Sequence, residues 1–94
     1  PQSVVERLDY CATTGVLTWK YCSNRTKAWN TRYAGKPAGV VNGKGYLYVH
    51  LDGGPIRANR VIWALMTGEW PKHQVDHRNT IRSDNRWDNL RPAS

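Results

Sequence analysis

Tyr46-Leu47-Tyr48-Val49-His50-Leu51 alternates aromatic or polar with aliphatic side chains without a break, and glycine-rich turns bracket it on both sides. A side-chain period of two belongs to a strand with one packed face and one wet face. Leu47, Val49 and Leu51 then point one way, and Tyr46, Tyr48 and His50 the other, so His50 reads as a solvent-facing histidine. Gly43-Lys44-Gly45 supplies glycines where a hairpin needs positive φ, pairing this strand with residues 38–42. Asp52-Gly53-Gly54 turns the chain again, into a third strand at 55–58. A meander with one apolar face needs a covering layer. Residues 59–67 provide it as a helix, with Val61, Ile62, Leu65 and Met66 on the buried side and Trp63 widening it. Gly68 fits the position after the helix end, and Pro71 prevents resumption.

The upstream segment adds smaller pieces. Ser3-Val4-Val5-Glu6 has the form of a capping box and predicts a short helix to about Tyr10, with a thin apolar side of Val5 and Leu8. Thr13-Thr14-Gly15 marks a turn, and residues 16–19 read as a strand. Residues 22–37 are polar and without period, broken by Trp29 and Tyr33, and read as a long loop that is either pinned by Trp29 or tracks a phosphate backbone. The fold class is α+β: a short N-terminal helix, then an antiparallel meander packed on a central helix, then a strand-loop-strand stretch. At 94 residues, with no repeat and no linker, the chain reads as one domain, 1–94. Its sections are 1–37, 38–71 and 72–94. A domain of this size buries only a modest core. Five Trp and five Tyr with no Phe make a core of few, large side chains, which also suit contact with bases or sugars.

Fourteen Lys and Arg stand against seven Asp and Glu, for a formal net charge of +7, which draws the domain toward polyanions. The basic residues run from Arg7 to Arg91 with no tail-like block, favouring a folded basic face. A ribosomal or merely soluble basic protein is the alternative. No apolar run approaches the roughly twenty residues that cross a bilayer, and the N-terminal residues are not a signal peptide, so a cytoplasmic setting and no membrane partner are expected. Cys11 and Cys22 either face each other across a hairpin or, as expected in a reducing compartment, are buried thiols. Neither lies in a CxxC, which speaks against zinc.

The stretch VDHRNTIRSDNRWDNLR, residues 75–91, carries the chemistry. Phosphodiester hydrolysis needs a base for water, a cation for the developing negative charge, and a frame holding both. The His77 imidazole suits the first task because its pKa lies near working pH. The neighbouring Asp76 carboxylate is a hard ligand for Mg2+ or Mn2+. On a strand the two point to opposite faces. Residues 78–88 read as a loop held by its own side chains, with Asp84 and Asp88 capping turns. Asn89, just before Leu90 re-enters the core, can bond backbone across the loop and fix the histidine. Arg78, Arg82, Arg86 and Arg91 surround the site with guanidinium forks that match phosphate oxygens, and Lys44, Arg57 and Arg60 extend the basic surface.

The runs GYLYVHLDGGPIRANRVIWALMTGEWP and VDHRNTIRSDNRWDNLR, with LDYCATTGVLTWK and AGKPAGVVNGKGY upstream, resemble the HNH endonucleases common in bacteriophages, including free-standing homing enzymes of the ββα-metal type. The resemblance covers almost the whole chain. It implies His77 as general base, Asp76 as ligand of a divalent ion, Asn89 as the middle Asn bracing the loop, and double-stranded DNA as substrate. Products would carry a 3′-hydroxyl and a 5′-phosphate, commonly as a nick, in a bacterial or phage-infected cell. Asn59-Arg60 departs from the pattern, which has a His before the Arg. The family's last helix, with the final His or Asn of the metal site, would begin at Arg91-Pro92-Ala93-Ser94, so it is expected to be missing. Three other readings stand beside a metal-dependent nuclease. One is a truncated, inactive HNH fragment. Another is a non-catalytic DNA-binding domain of AP2-like type, whose three-stranded sheet reads the major groove. A basic RNA-associated or structural protein is the third.

Overall fold

A computed structural model describes residues 2–23, 25–51 and 53–92, with the backbone alone for residues 2 and 3. The architecture is mixed α+β, in the order α1 (Gln2–Arg7), β1 (Leu8–Cys11), β2 (Val16–Trp19), α2 (Lys27–Tyr33), β3 (Val40–Val41), β4 (Leu47–Leu51), β5 (Gly54–Arg57), α3 (Ala58–Thr67), β6 (Val75–His77), a 3-10 turn at Trp87–Asn89, and β7 (Leu90–Pro92). Among the described residues three antiparallel sheets result: β1-β2, β3-β4-β5 and β6-β7. The side chain of Ser3, residue Asp52 of the second turn, and Ala93 and Ser94 lie outside the described residues, and with them the expected capping box.

The meander forms as its alternation requires. Val49 is fully buried, Leu47 and Leu51 pack at the core edge, and His50 is exposed. Gly54 pairs with Leu51 and Arg57 with Tyr48, which sets the register that delivers the chain into α3. This helix packs on α1, β4, β5 and β6, so it is the hub of the fold. Its buried face is Ala58, Asn59, Val61, Ile62 and Ala64. Gly68 ends it at φ 83°, donating its amide to the Ala64 carbonyl, in a left-handed conformation that an L side chain resists. Met66, expected on the buried face, is exposed instead. The core lies on the Ala58-Val61-Ile62-Leu65 side of the helix, and position 66 is turned about 100° from Leu65 by the helical repeat.

Three further expectations are corrected. The first helix stops at Arg7, not near Tyr10, because Leu8–Cys11 pairs with Val16–Trp19 in a hairpin closed by the Gly15 amide on the Cys11 carbonyl at 2.7 Å. Two apolar residues at helical spacing do not outweigh a full set of cross-strand bonds. Residues 22–37 are not a continuous loop, for they contain α2. Thr26 caps it by accepting from the Trp29 amide, and the buried Asn30 side chain bonds both the amide and the carbonyl of Cys22. Trp29 stacks edge-on to Trp19 with centroids 5.7 Å apart, pinning α2 to β2. The cysteines, expected as buried thiols, are not buried: Cys11 is exposed and Cys22 half-buried. Both lie where the hairpin and its exit leave the core.

Candidate active site

The strand-loop-strand stretch pairs Asp76 with Arg91 and His77 with Leu90. Strand pleating sends the two neighbours apart: His77 inward, at 6 % exposure, and Asp76 outward. Asp76 folds back to accept the His77 amide on Oδ1 at 2.9 Å, and its Oδ2 takes Arg91 Nη2 at 3.1 Å. β6 itself is tied to the hub helix by Asn59, whose buried Nδ2 donates to the Val75 carbonyl at 3.0 Å, while its Oδ1 has no partner among the described residues. The amide that stands where the resembling family has His therefore tethers the strand carrying Asp76 and His77.

Residues 78–88 are held by a net of short polar side chains, and Asn89 is its centre. The Asn89 Oδ1 accepts the Asn79 amide at 3.0 Å, and its Nδ2 donates to Asn79 Oδ1 at 2.9 Å and to the Asp84 carbonyl at 2.7 Å. The Asn89 carbonyl accepts the Arg78 amide at 2.7 Å, closing the loop directly after His77. Thr80 at φ 63° makes the reversal that brings Asn79 and Asp84 together. Asp84 forms a two-pronged pair with Arg86, with Nε at 2.9 Å and Nη2 at 2.8 Å. That guanidinium, with the Asn79 amide behind it, holds the Asp84 carboxyl well below the usual carboxylate range. The turn-capping role expected of Asp84 is thus what the loop uses. The segment expected to lack regular structure ends in the 3-10 turn that carries Asn89.

Asn89 acts on the loop backbone, whereas the imidazole itself is held by another residue. His77 Nε2 lies 2.9 Å from Oδ1 of Asn85, a side chain only 3 % exposed. Sequence reasoning missed Asn85 because an Asp-Asn-Arg turn is ordinary turn chemistry. The one available signal was an amide at a position whose neighbours, Asp84 and Arg86, already satisfy each other.

The basic residues divide into two groups. Arg57 and Arg82 converge on Tyr46, with guanidinium carbons 4.0 and 4.7 Å from its ring centroid, and that ring lies 6.4 Å from the His77 ring. Arg57 also donates to the Tyr48 hydroxyl, and Arg82 to the Lys44 carbonyl at the hairpin tip, so both are fixed without a carboxylate partner among the described ion pairs. Two placed guanidiniums beside an imidazole suit a phosphodiester. Arg86 and Arg91 are instead paired with Asp84 and Asp76, and Arg60 reaches the His73 carbonyl at 3.3 Å. Arg78 is exposed beyond the end of β6.

A divalent ion fits this arrangement in part. Asp76 offers one exposed carboxylate beside the histidine, but among the described residues no group of three or more His, Cys, Asp or Glu is assembled to hold a metal. No described helix is long and apolar enough to cross a membrane. No curated protein and no solved structure matches the chain significantly. A family model does match, over the stretch that builds the geometry above: residues 57–94, from the start of α3 through Asp76, His77, Asn85 and Asn89, match the model of the HNH endonuclease family.

Proposed function

We propose that the chain is a metal-dependent HNH endonuclease domain that hydrolyses or nicks duplex DNA, with His77 as the general base. The observation that carries this reading is a buried imidazole gripped through Nε2 by Asn85, beside an outward carboxylate and beneath a tyrosine carrying two arginines. With Nε2 occupied as donor to Oδ1, Nδ1 is the nitrogen with a lone pair to accept a proton. Water attacks phosphorus while its proton passes to Nδ1; the P–O3′ bond breaks and O3′ takes a proton from solvent, leaving a 3′-hydroxyl and a 5′-phosphate. Arg57 and Arg82 hold the non-bridging oxygens, and Lys44, Arg60 and Arg78 lie along the flanking backbone, joined by Arg86 and Arg91 where a phosphate displaces their carboxylates. Asp76 is the residue that would hold Mg2+ or Mn2+, and such an ion supplies charge neutralisation at the phosphate. Asn89 keeps the loop closed so that Asn85 and His77 meet.

The test is conversion of supercoiled plasmid to nicked circles with Mg2+ or Mn2+. The reading requires that EDTA and His77→Ala both abolish it. A second reading is favoured by one observation: β3-β4-β5 form a three-stranded sheet backed by α3, with Val40, Val41 and His50 exposed on it. That is the layout of a non-catalytic DNA-binding domain in which the sheet enters the major groove. Tight duplex binding with a steep salt dependence and no cutting in either metal would select it.

A further inference from the structure

Asn85, the residue that grips His77, is itself held from outside the family segment. The turn of the β1-β2 hairpin presses on its backbone: Gly15 is buried at φ 78°, and a Cβ placed there would stand 2.5 Å from the Asn85 carbonyl carbon and 2.5 Å from the Arg86 amide nitrogen. Only glycine meets both the conformation and the close approach. On one side of this contact the Tyr10 hydroxyl donates to the Asn85 carbonyl, and on the other the Trp87 amide donates to the Ala12 carbonyl at 3.2 Å. Residues 85–87 are thus clamped at three points by residues 10–15. The hairpin is rooted in the core through Leu8 and Leu17, each 1 % exposed, so the clamp does not ride on a loose tip.

We propose that the β1-β2 hairpin is a positioning element for the nuclease site, in which Tyr10 and Gly15 fix the backbone of Asn85 so that its side-chain oxygen holds the His77 ring by Nε2. This inference rests on the nuclease reading for its consequence, not for its geometry. Tyr10 is suited to the task because burial, more than its neighbours Cys11, Asp84 and Asp88, pushes its phenol up to about 12, so the donor proton stays in place through neutral and alkaline pH. Tyr10 and Gly15 touch neither substrate nor water in the reaction. Their action is transmitted through Asn85, whose displacement by an ångström would rotate the imidazole away from the attack line. Misplacements of that size reduce turnover on the order of a hundredfold.

The experiment uses the full chain with 15N-labelled histidine and reads the imidazole nitrogens of His77 by long-range 1H–15N correlation, beside plasmid nicking and duplex affinity. In the wild type the neutral ring should show a single tautomer with the proton on Nε2. Tyr10→Phe removes one hydroxyl and keeps the ring, so the fold is retained. It should convert that signature to a mixture of tautomers and lower kcat by roughly ten- to a hundredfold with Kd for duplex unchanged. Asn85→Ala should do the same more severely, and Asn85→Asp, which keeps an acceptor oxygen, should restore the Nε2 proton. A Tyr10→Phe protein with wild-type imidazole signals and wild-type kcat overturns the inference. If the wild type never nicks DNA but the Tyr10→Phe signals change as described, the positioning stands and the nuclease reading fails.

Discussion

Arg91 Nη2 lies 3.1 Å from Asp76 Oδ2, across the β6-β7 pair in which the two residues are direct partners. On the proposed reading, in which Asp76 would hold a divalent cation, this bond competes with the ion for the carboxylate. Arg91→Gln should therefore lower the Mg2+ or Mn2+ concentration at half-maximal nicking. Both side chains are about half exposed, so the pair contributes at most about 1 kcal/mol, and the shift should be no more than about fivefold. A metal titration of nicking, with calorimetry for Mn2+ binding, reads it. An increase in the concentration needed would mean that Arg91 orients Asp76 rather than competing for it.

His77→Ala should lower nicking by about 10²- to 10⁴-fold, the usual contribution of one positioned general base. Duplex affinity should change little, since His77 is buried and the arginines on Tyr46 remain. Single-turnover nicking beside fluorescence anisotropy separates the two. Loss of binding in parallel with cutting would assign His77 to the frame of the site.

Much of this organisation was legible in the sequence, and what was not has a common cause. The meander and α3 followed from period-two and helical patterns because each buries one face of a regular element, and side-chain periodicity reports that directly. The outward Asp76 and inward His77 followed from strand alternation. Asn85 and Asn59 were missed because their function depends on which buried group each faces. His77 lies 8 residues from Asn85, Val75 lies 16 from Asn59, and no local pattern encodes either meeting. Tyr10 and Asn85 are 75 residues apart, so the clamp between them exists only once the chain is folded. The short helix α2 escaped for a different reason: its stability comes from the Thr26 cap, Asn30 and the Trp19 contact, not from an apolar stripe.

Cys11 offers a pH-dependent handle on the hairpin. Bonds from the Thr14 side chain and backbone, then from Thr13, stabilise its thiolate and bring its pKa down to about 7. Because the thiolate is the reactive form, alkylation by iodoacetamide should rise through pH 7 and level off above it. Thr14→Val removes the largest cause and should move the midpoint upward, toward the ordinary cysteine range. A pH series of alkylation rates, resolved by mass spectrometry against Cys22, makes the comparison. A midpoint that does not move would place the cause in the turn backbone alone.

Asn89→Ala strips the loop of three side-chain bonds at once and leaves the Asn79 amide without its partner. Each bond contributes about 0.5–1.5 kcal/mol net, and a loss of about 2–3 kcal/mol in urea unfolding is expected for the three together. The change should also show locally. Amide exchange at Arg78 and Asn79 should accelerate more than at Val49 in the meander, because only the loop loses its centre. Uniform acceleration across both regions would mean that Asn89 stabilises the whole fold and not the loop.

The two arginines on Tyr46 allow charge and placement to be measured apart. If Arg57 and Arg82 each neutralise a phosphate, removing either by an alanine substitution should reduce the slope of log K against log salt by about 0.9, the value per B-DNA phosphate contact. Tyr46→Leu keeps both charges but removes the ring that fixes them at 4.0 and 4.7 Å. Its slope should stay near the wild-type value while affinity falls, because cation–π anchoring contributes about 0.5–2 kcal/mol and restrains where the guanidiniums point. Since the ring also lies 6.4 Å from His77, Tyr46→Leu should reduce nicking at saturating DNA as well, whereas Arg60→Ala, farther along the helix, should affect binding only. Anisotropy titrations from low to moderate salt, paired with saturating-DNA nicking rates, give both quantities. A slope that drops with Tyr46→Leu as much as with Arg82→Ala would show that the arginines reach phosphate only when the ring holds them, making Tyr46 the organising residue of the phosphate contact.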